Sequence, residues 1–444
     1  MRRRHLLALA VLMSLLVGTV VAARVVPGPW RSGGETLERA ELAEEPATWP
    51  TWGFTHTQYS ADHGSSQAVQ SVARSLTGQP LVQAQALMGW GAGNPEPTPG
   101  EYVFDSLDSR IDFIRRSGGV PVITLCCAPD WMKGGEEGET DWSELETAPE
   151  PEHYADFARL AAVVAERYPD VHHFMVWNEF KGFWDEEADT WDAVGYTDFY
   201  NQVHAAVKAA NPQALVGGPY VTLGLDTDAR GDRSSAATDA ATLVSGTWGT
   251  VDPRPLEAFD YWLANNDGAD FVVVDGHAVA QEGSTDPFEA LPMFSAVNEW
   301  IQERTDLPIW WAEWYLDPEV REWPADQQQA VYTAAMMELA RSGAETVLYW
   351  NPRPADASCA GCLWTDTSSG DGGQTLDLLA VLQDLARWFP AGTELQDVDV
   401  PAGVAALAQR EAVLLVNTTG RSITATVNGD RLRLTPYDVR WVTT

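Results

Sequence analysis

The chain has 444 residues, 64 acidic against 28 basic side chains, and a formal net charge of -36. Such acidity excludes nucleic acid as a partner, because its binders gather positive charge on one face, and it disfavours anionic lipid. Hydrophobic residues at 45% and charged residues at 21% exclude a disordered or fibrous chain, and the length suits either two or three domains or one large barrel with additions. Two counts are unusual, 20 Trp and only 4 Cys. Tryptophan offers a flat apolar face and one N–H donor, which matches the C–H faces and hydroxyl rims of sugars. The excess points to carbohydrate, with core packing as its other use.

In chain order, Arg2, Arg3 and Arg4 precede an apolar run from Leu6 to Ala23. A positive start, an apolar stretch and small residues form the secretory pattern. Val20 and Ala22 suit the −3 and −1 positions of a cleavage site. Residues 1–23 are expected to be a signal peptide or an uncleaved anchor, the only membrane attachment expected, so the body is secreted or extracytoplasmic. The Pro-, Glu- and Gly-rich segment 24–51 reads as a linker.

From residue 52 a pattern recurs: a short apolar, β-branched or aromatic run, a polar loop, then an amphipathic stretch. The runs are Trp52–Gln58, Val82–Met88, Val120–Cys126, His173–Trp177, Ala214–Gly218, Phe271–Asp275, Ile309–Ala312 and Thr346–Trp350. Helical stretches are Gln67–Leu76, Leu107–Ser117, His153–Arg167, Thr197–Ala210, Phe288–Arg304, Ala325–Ser342 and Leu376–Phe389. Eight strands alternating with helices predict an α/β fold, a (β/α)8 TIM barrel over 52–390. A doubly wound sheet would want a Gly-rich phosphate turn after its first strand, and WGFTHTQYS supplies none. The run Leu225–Pro255 is too long for an ordinary connection and reads as a lid; the RGD at Arg230–Asp232 inside it reads as a loop tripeptide. Residues 391–444 hold short alternating segments broken by Asn-Gly and Thr-Gly turns, the pattern of a small all-β module.

Outside the cytoplasm an even number of cysteines favours disulfides. Cys359 with Cys362 is the first expected bridge, and the adjacent Cys126 and Cys127 the second. A four-thiolate zinc site wants two CxxC-like pairs, which Cys126-Cys127 does not provide. No metal or cofactor is expected.

In a barrel of this kind chemistry sits where strands end at the C-terminal face. The fourth run, HHFMVWNEF, ends on Asn178 and Glu179, and the seventh, PIWWAEWY, on Glu313. A carboxylate between Trp311 and Trp314 is costly unless it is used; a salt-bridged residue at a strand end is the plainer use.

The Trp-Asn-Glu at Trp177–Glu179 and the Trp-Ala-Glu-Trp-Tyr at Trp311–Tyr315 resemble clan A of the glycoside hydrolases. So does Trp90–Met132, with its Pro-Gly-Glu-Tyr turn, helix and strand ending near Pro129 and Trp131. The likeness runs from Trp52 to Phe389 and is nearest to family 39, the β-xylosidase-like group. It implies a retaining hydrolase acting on an oligo- or polysaccharide, with Glu313 as nucleophile and Glu179 as acid/base. Double displacement needs an ionised Glu313 and a Glu179 of raised pKa. Asn178 is placed for the sugar 2-hydroxyl, His277 for Glu313 or a hydroxyl, and Trp350 for the floor under the sugar. His56, Trp90, Trp131 and Tyr315 are further rim candidates. Many clan members carry an Arg near the end of the second strand; Ala86–Gly91 has none. A carbohydrate-binding barrel without catalysis and a transglycosylase are the alternative readings.

Overall fold

Strands buried on both faces read as unbroken apolar runs, because helices cover the outside and side chains fill the inside. The computed structural model, which describes residues 51–58, 64–225, 244–278, 286–316, 323–351, 359, 361–368 and 370–443, shows eight such strands. They are β1 (Trp52–Thr55), β2 (Val82–Ala86), β3 (Val120–Leu125), β4 (His173–Val176), β5 (Leu215–Leu223), β6 (Phe271–Ala278), β7 (Ile309–Leu316) and β8 (Thr346–Trp350). All pair in parallel, and β8 returns to β1 through Thr55↔Trp350, closing the barrel. Closure excludes the doubly wound alternative.

Helices α1 (Ser66–Leu76), α2 (Asp105–Arg116), α3 (Tyr154–Arg167), α4 (Ala193–Ala210), α5 (Pro253–Asn265), α6 (Pro292–Gln302), α7 (Ala325–Arg341) and α8 (Asp377–Trp388) surround it. The helix α5 departs from the sequence expectation, which absorbed its start into a lid. Asp252 caps it by accepting from the Arg254 N–H, and Pro253 opens the first turn; both are start signals. Residues 226–243, with the RGD, lie outside the described residues, as do the expected signal peptide and the linker up to residue 50. Among the described residues no helix is long and apolar enough to cross a membrane.

Alternation along each strand divides the core in two. Phe271, Val273, Trp310, Val82, Val122, Met175 and Leu348 fill the barrel interior. Their neighbours Val272, Val274, Trp311 and Trp314 join the larger layer beneath the helices. The Trp52 indole donates to the Phe389 carbonyl at 2.8 Å, fastening the end of α8 to β1.

The tail forms an antiparallel sheet of β9 (Val404–Gln409), β10 (Ala412–Asn417) and β13 (Val439–Thr443). A hairpin of β11 (Ile423–Val427) and β12 (Asp430–Leu434) completes it. It is the expected small all-β module, and Trp441 lies 6.0 Å from Phe389 at the barrel's edge. Both cysteine pairs are bonded, Cys359 to Cys362 and Cys126 to Cys127.

Candidate active site

Two local devices aim the carboxylates. The strand β4 stops at Val176, and Trp177, Glu179 and Phe180 then take φ of 68°, 52° and 55°. Side chains other than glycine rarely adopt this left-handed region, and its cost is kept where the surroundings enforce it. Here Phe180 stacks on Tyr196 at 4.0 Å and the Trp177 indole donates to the Lys181 carbonyl. Glu179 is left facing the cavity. On β7 strict alternation from Trp310 and Ala312 would send Glu313 outward with Trp311. A register shift against β6, where Val274 pairs with Trp311 but Asp275 with Glu313, inserts a bulge at Ala312. A bulge re-aims the residues after it, so Glu313 points inward while Trp314 returns to the outer layer.

Glu179 and Glu313 therefore line one cavity of about 260 Å³ at the C-terminal end of the barrel, with Trp90, Asn178, Lys181, Tyr315, Leu316 and Trp350. Trp90 also borders a neighbouring cavity of about 640 Å³ toward Gln58, Trp142 and Glu146. A third carboxylate, Asp275, enters from β6 by alternation with Phe271 and Val273. One oxygen from each of Glu179, Asp275 and Glu313 lies within 4.8 Å of the others. That spacing would also suit a single hard cation, but the Lys181 ammonium sits 2.5 Å from Glu179 Oε2 instead.

The partners of the three carboxylates differ. The Tyr220 hydroxyl, on a β5 bulge with φ 54°, donates to Glu313 Oε1 at 2.6 Å. Lys181 bridges Glu179 and Glu146, each at 2.5 Å. Burial pushes Glu313 well above the ordinary Glu range, the charge of Glu179 adds to it, and the Tyr220 hydrogen bond and Lys181 oppose it. Burial also pulls Glu179 upward, but its hydrogen bond with Asp275 and the charge of Lys181 prevail and hold it below the usual value. Asp275, fully buried, is pushed far up by burial and then by the charge of Glu179. These directions reverse the expectation of a raised Glu179 and an ionised Glu313. The physical reason is the turn after β4, which sets Glu179 against Asp275 and brings the Lys181 ammonium into contact with it.

The other expected residues divide. Asn178, Trp90, Tyr315 and Trp350 line the cavity. His277 stacks flat on Tyr315, ring centroids 5.1 Å apart, and its charge acts on Glu179. His56 and Trp131 do not line it. His56 is buried in the wall against Phe54 and Phe113 and bonded to Gln83 at 2.9 Å, because β1 turns it outward toward α2. Trp131 faces His153 and donates to the Glu96 carbonyl, pinning the loop after β3. Arg110 of α2 reaches back to Gln85 of β2 at 2.9 Å, behind the cavity wall. Sequence reasoning passed over Asp275, Lys181 and Tyr220; alternation from Phe271 was a signal for the first, and the other two carried none.

Residues 401–442 match the C-terminal immunoglobulin-like domain of D-apionate lactonase. No curated protein sequence matches the chain. Among solved structures, a glucosidase from Croceicoccus marinus superposes with a TM-score of 0.53 at 15% identity, covering 87% of this chain and 80% of that one. A GH39 β-xylosidase from Caulobacter crescentus gives 0.52 at 17% identity over 85% and 79%. A conserved exported protein from Bacteroides fragilis gives 0.59 at 11% identity over 89% and 98%. At these identities the likeness establishes a shared fold: the chain has the barrel of the family 39 glycoside hydrolase structures, with a small immunoglobulin-like module behind it.

Proposed function

We propose that the protein is an exported retaining glycoside hydrolase acting on an oligo- or polysaccharide, with Glu313 as nucleophile and Glu179 as acid/base. The observation that carries this reading is the pair of facing carboxylates in one aromatic-walled cavity, oxygens within 4.8 Å of each other. Retaining enzymes need a separation of about 5–5.5 Å, whereas inversion needs room for an intervening water. The glucosidase and β-xylosidase that share the fold support the choice of a glycosidic bond.

The chain's own residues supply each step. The Trp350 face supports the sugar ring, and Asn178 takes the 2-hydroxyl. Glu313, kept in place by the Tyr220 hydroxyl, attacks the anomeric carbon as Glu179 protonates the departing oxygen. Glu179, now a carboxylate, then takes a proton from water as that water displaces Glu313. Transglycosylation differs only in which hydroxyl resolves the intermediate, and a carbohydrate-binding barrel would bind without turnover.

The test separates the two carboxylates. Glu313→Gln should abolish glycosylation on every aryl glycoside. Glu179→Ala should still be glycosylated by substrates with good leaving groups and then stall, and azide should release a glycosyl azide of retained configuration. An inverted azide from the Glu179 variant would exchange the two roles, and equal unrescued loss in both would refute the assignment.

A further inference from the structure

Double displacement uses two carboxylates, and a third lies buried beside the two that line this cavity. The additional one is the most deeply placed. Asp275 is fully buried, and neither of its oxygens has a hydrogen-bond donor of normal geometry among the described residues. Its register neighbour Thr222 on β5 favours the charged form, but less than burial and the charges of Glu179 and Glu313 oppose it. An ionised carboxylate in that setting is costly, and a proton removes the cost.

The groups facing it decide where one proton goes. From β5 come Thr222 and the hydroxyl of Tyr220, which is committed to Glu313. From β7 come Glu313 and Tyr315, and His277 follows on β6 itself. The turn after β4 brings Glu179 with Lys181, whose ammonium contacts Glu179 and Glu146. Glu179 thus has a cation and Glu313 a hydroxyl donor, while Asp275 has like charges within 4.8 Å. Burial and the charge of Glu179 both favour the protonated form of Asp275, and two carboxylates this close share a proton rather than both ionise.

Taking the glycosidase reading as its basis, we propose that Asp275 is a positioning residue that stores the acid proton, holding it in a hydrogen bond to Glu179 at neutral pH and passing it to Glu179 for leaving-group protonation. In the transfer the Asp275 O–H breaks and a Glu179 O–H forms, leaving Asp275 as the carboxylate and Glu179 neutral. Glu179 gives that proton to the glycosidic oxygen as the C–O bond breaks and its electron pair stays on oxygen. The proton that Glu179 later takes from water returns to Asp275, so each turnover restores the store. Lys181 neutralises Glu179 in the resting state, and Glu146 receives the ammonium when the leaving oxygen takes its place.

Two readouts test this. Infrared spectra at pH 7 of wild-type protein labelled with carboxyl-13C aspartate should show a protonated-carboxyl stretch that shifts with the label, disappears in Asp275→Asn and persists in Glu313→Gln. This measurement needs neither turnover nor, in its labelled wild-type form, a folded variant. No label-sensitive band, or one lost only in Glu313→Gln, overturns the proposal. In the pH profile of kcat/KM, Asp275→Asn should move the alkaline limb down by about one to three units, and Lys181→Met should move it up by a similar amount. Limbs that stay put in an active enzyme also overturn the store. Wild-type protein inactive on every glycoside would sink the glycosidase reading instead, while the infrared band still decides where the proton resides.

Discussion

Tyr220→Phe isolates the group that keeps the nucleophile usable. The substitution removes one hydroxyl, the donor to Glu313 Oε1 at 2.6 Å, and leaves the ring in the barrel interior with no cavity behind it. A hydrogen bond to a charged group contributes about 1.5–3 kcal/mol, and one pKa unit corresponds to about 1.4 kcal/mol, so the loss should raise Glu313 by roughly one to two units. Burial and the charge of Glu179 already hold Glu313 above the ordinary Glu value. A nucleophile must be ionised, so activity disappears as pH falls through this raised value. The acid limb of kcat/KM should therefore lie above pH 4.5 in the wild type and move higher by roughly one to two units in the variant. The assay is a pH series on an activated aryl glycoside, with the alkaline limb as internal control. An acid limb that stays in place would show that Glu313 is not the group whose ionisation limits the acid side.

Three further outcomes follow from the same geometry. Trp350→Ala, which removes one aromatic face of the cavity, should raise KM by about 10- to 100-fold, the worth of about 1.5–3 kcal/mol of apolar contact, and steady-state kinetics on any cleaved glycoside reads it. Burial, with the charge of His172 adding to it, holds His173 down at about 3, so the folded state resists protonation that the unfolded chain accepts near 6.5. Stability should fall as pH drops from about 6.5 toward 3, and His173→Phe should flatten that part of a Tm-against-pH curve. Cys359→Ser opens a loop closed over a sequence separation of three and should cost about 2 kcal/mol, read as a small drop in Tm with the activity retained.

The barrel was legible because eight apolar, β-branched or aromatic runs recur between Trp52 and Phe389 with seven amphipathic stretches among them, and strand ends located Asn178, Glu179, Glu313 and Trp350. What escaped was set by local irregularity. The direction of Glu313 depends on the β7 bulge at Ala312, which simple alternation in PIWWAEWY contradicts. Tyr220 reaches Glu313 from a bulge with positive φ, a conformation that the run GPYVTL does not announce. His56 alternates to the outer face of its strand, so its place in the sequence pattern suited a rim while its packing on Phe113 made it wall. Lys181 was passed over because a lysine two residues past a strand end is usually solvated; only the left-handed coil at Trp177, Glu179 and Phe180 folds its ammonium back onto Glu179.

In double displacement Glu313 forms a covalent bond to sugar during turnover. The most direct measurement is trapping with the 2-deoxy-2-fluoro analogue of whichever aryl glycoside the enzyme cleaves, followed by mass spectrometry of the digested protein. The fluorine slows release of the intermediate more than its formation when the leaving group is good, so the adduct accumulates. One added fluoroglycosyl group is expected on the peptide that contains Glu313, and none in Glu313→Gln. An adduct on Glu179 or Asp275, or turnover of the analogue's parent with inverted configuration and no adduct at all, would contradict it.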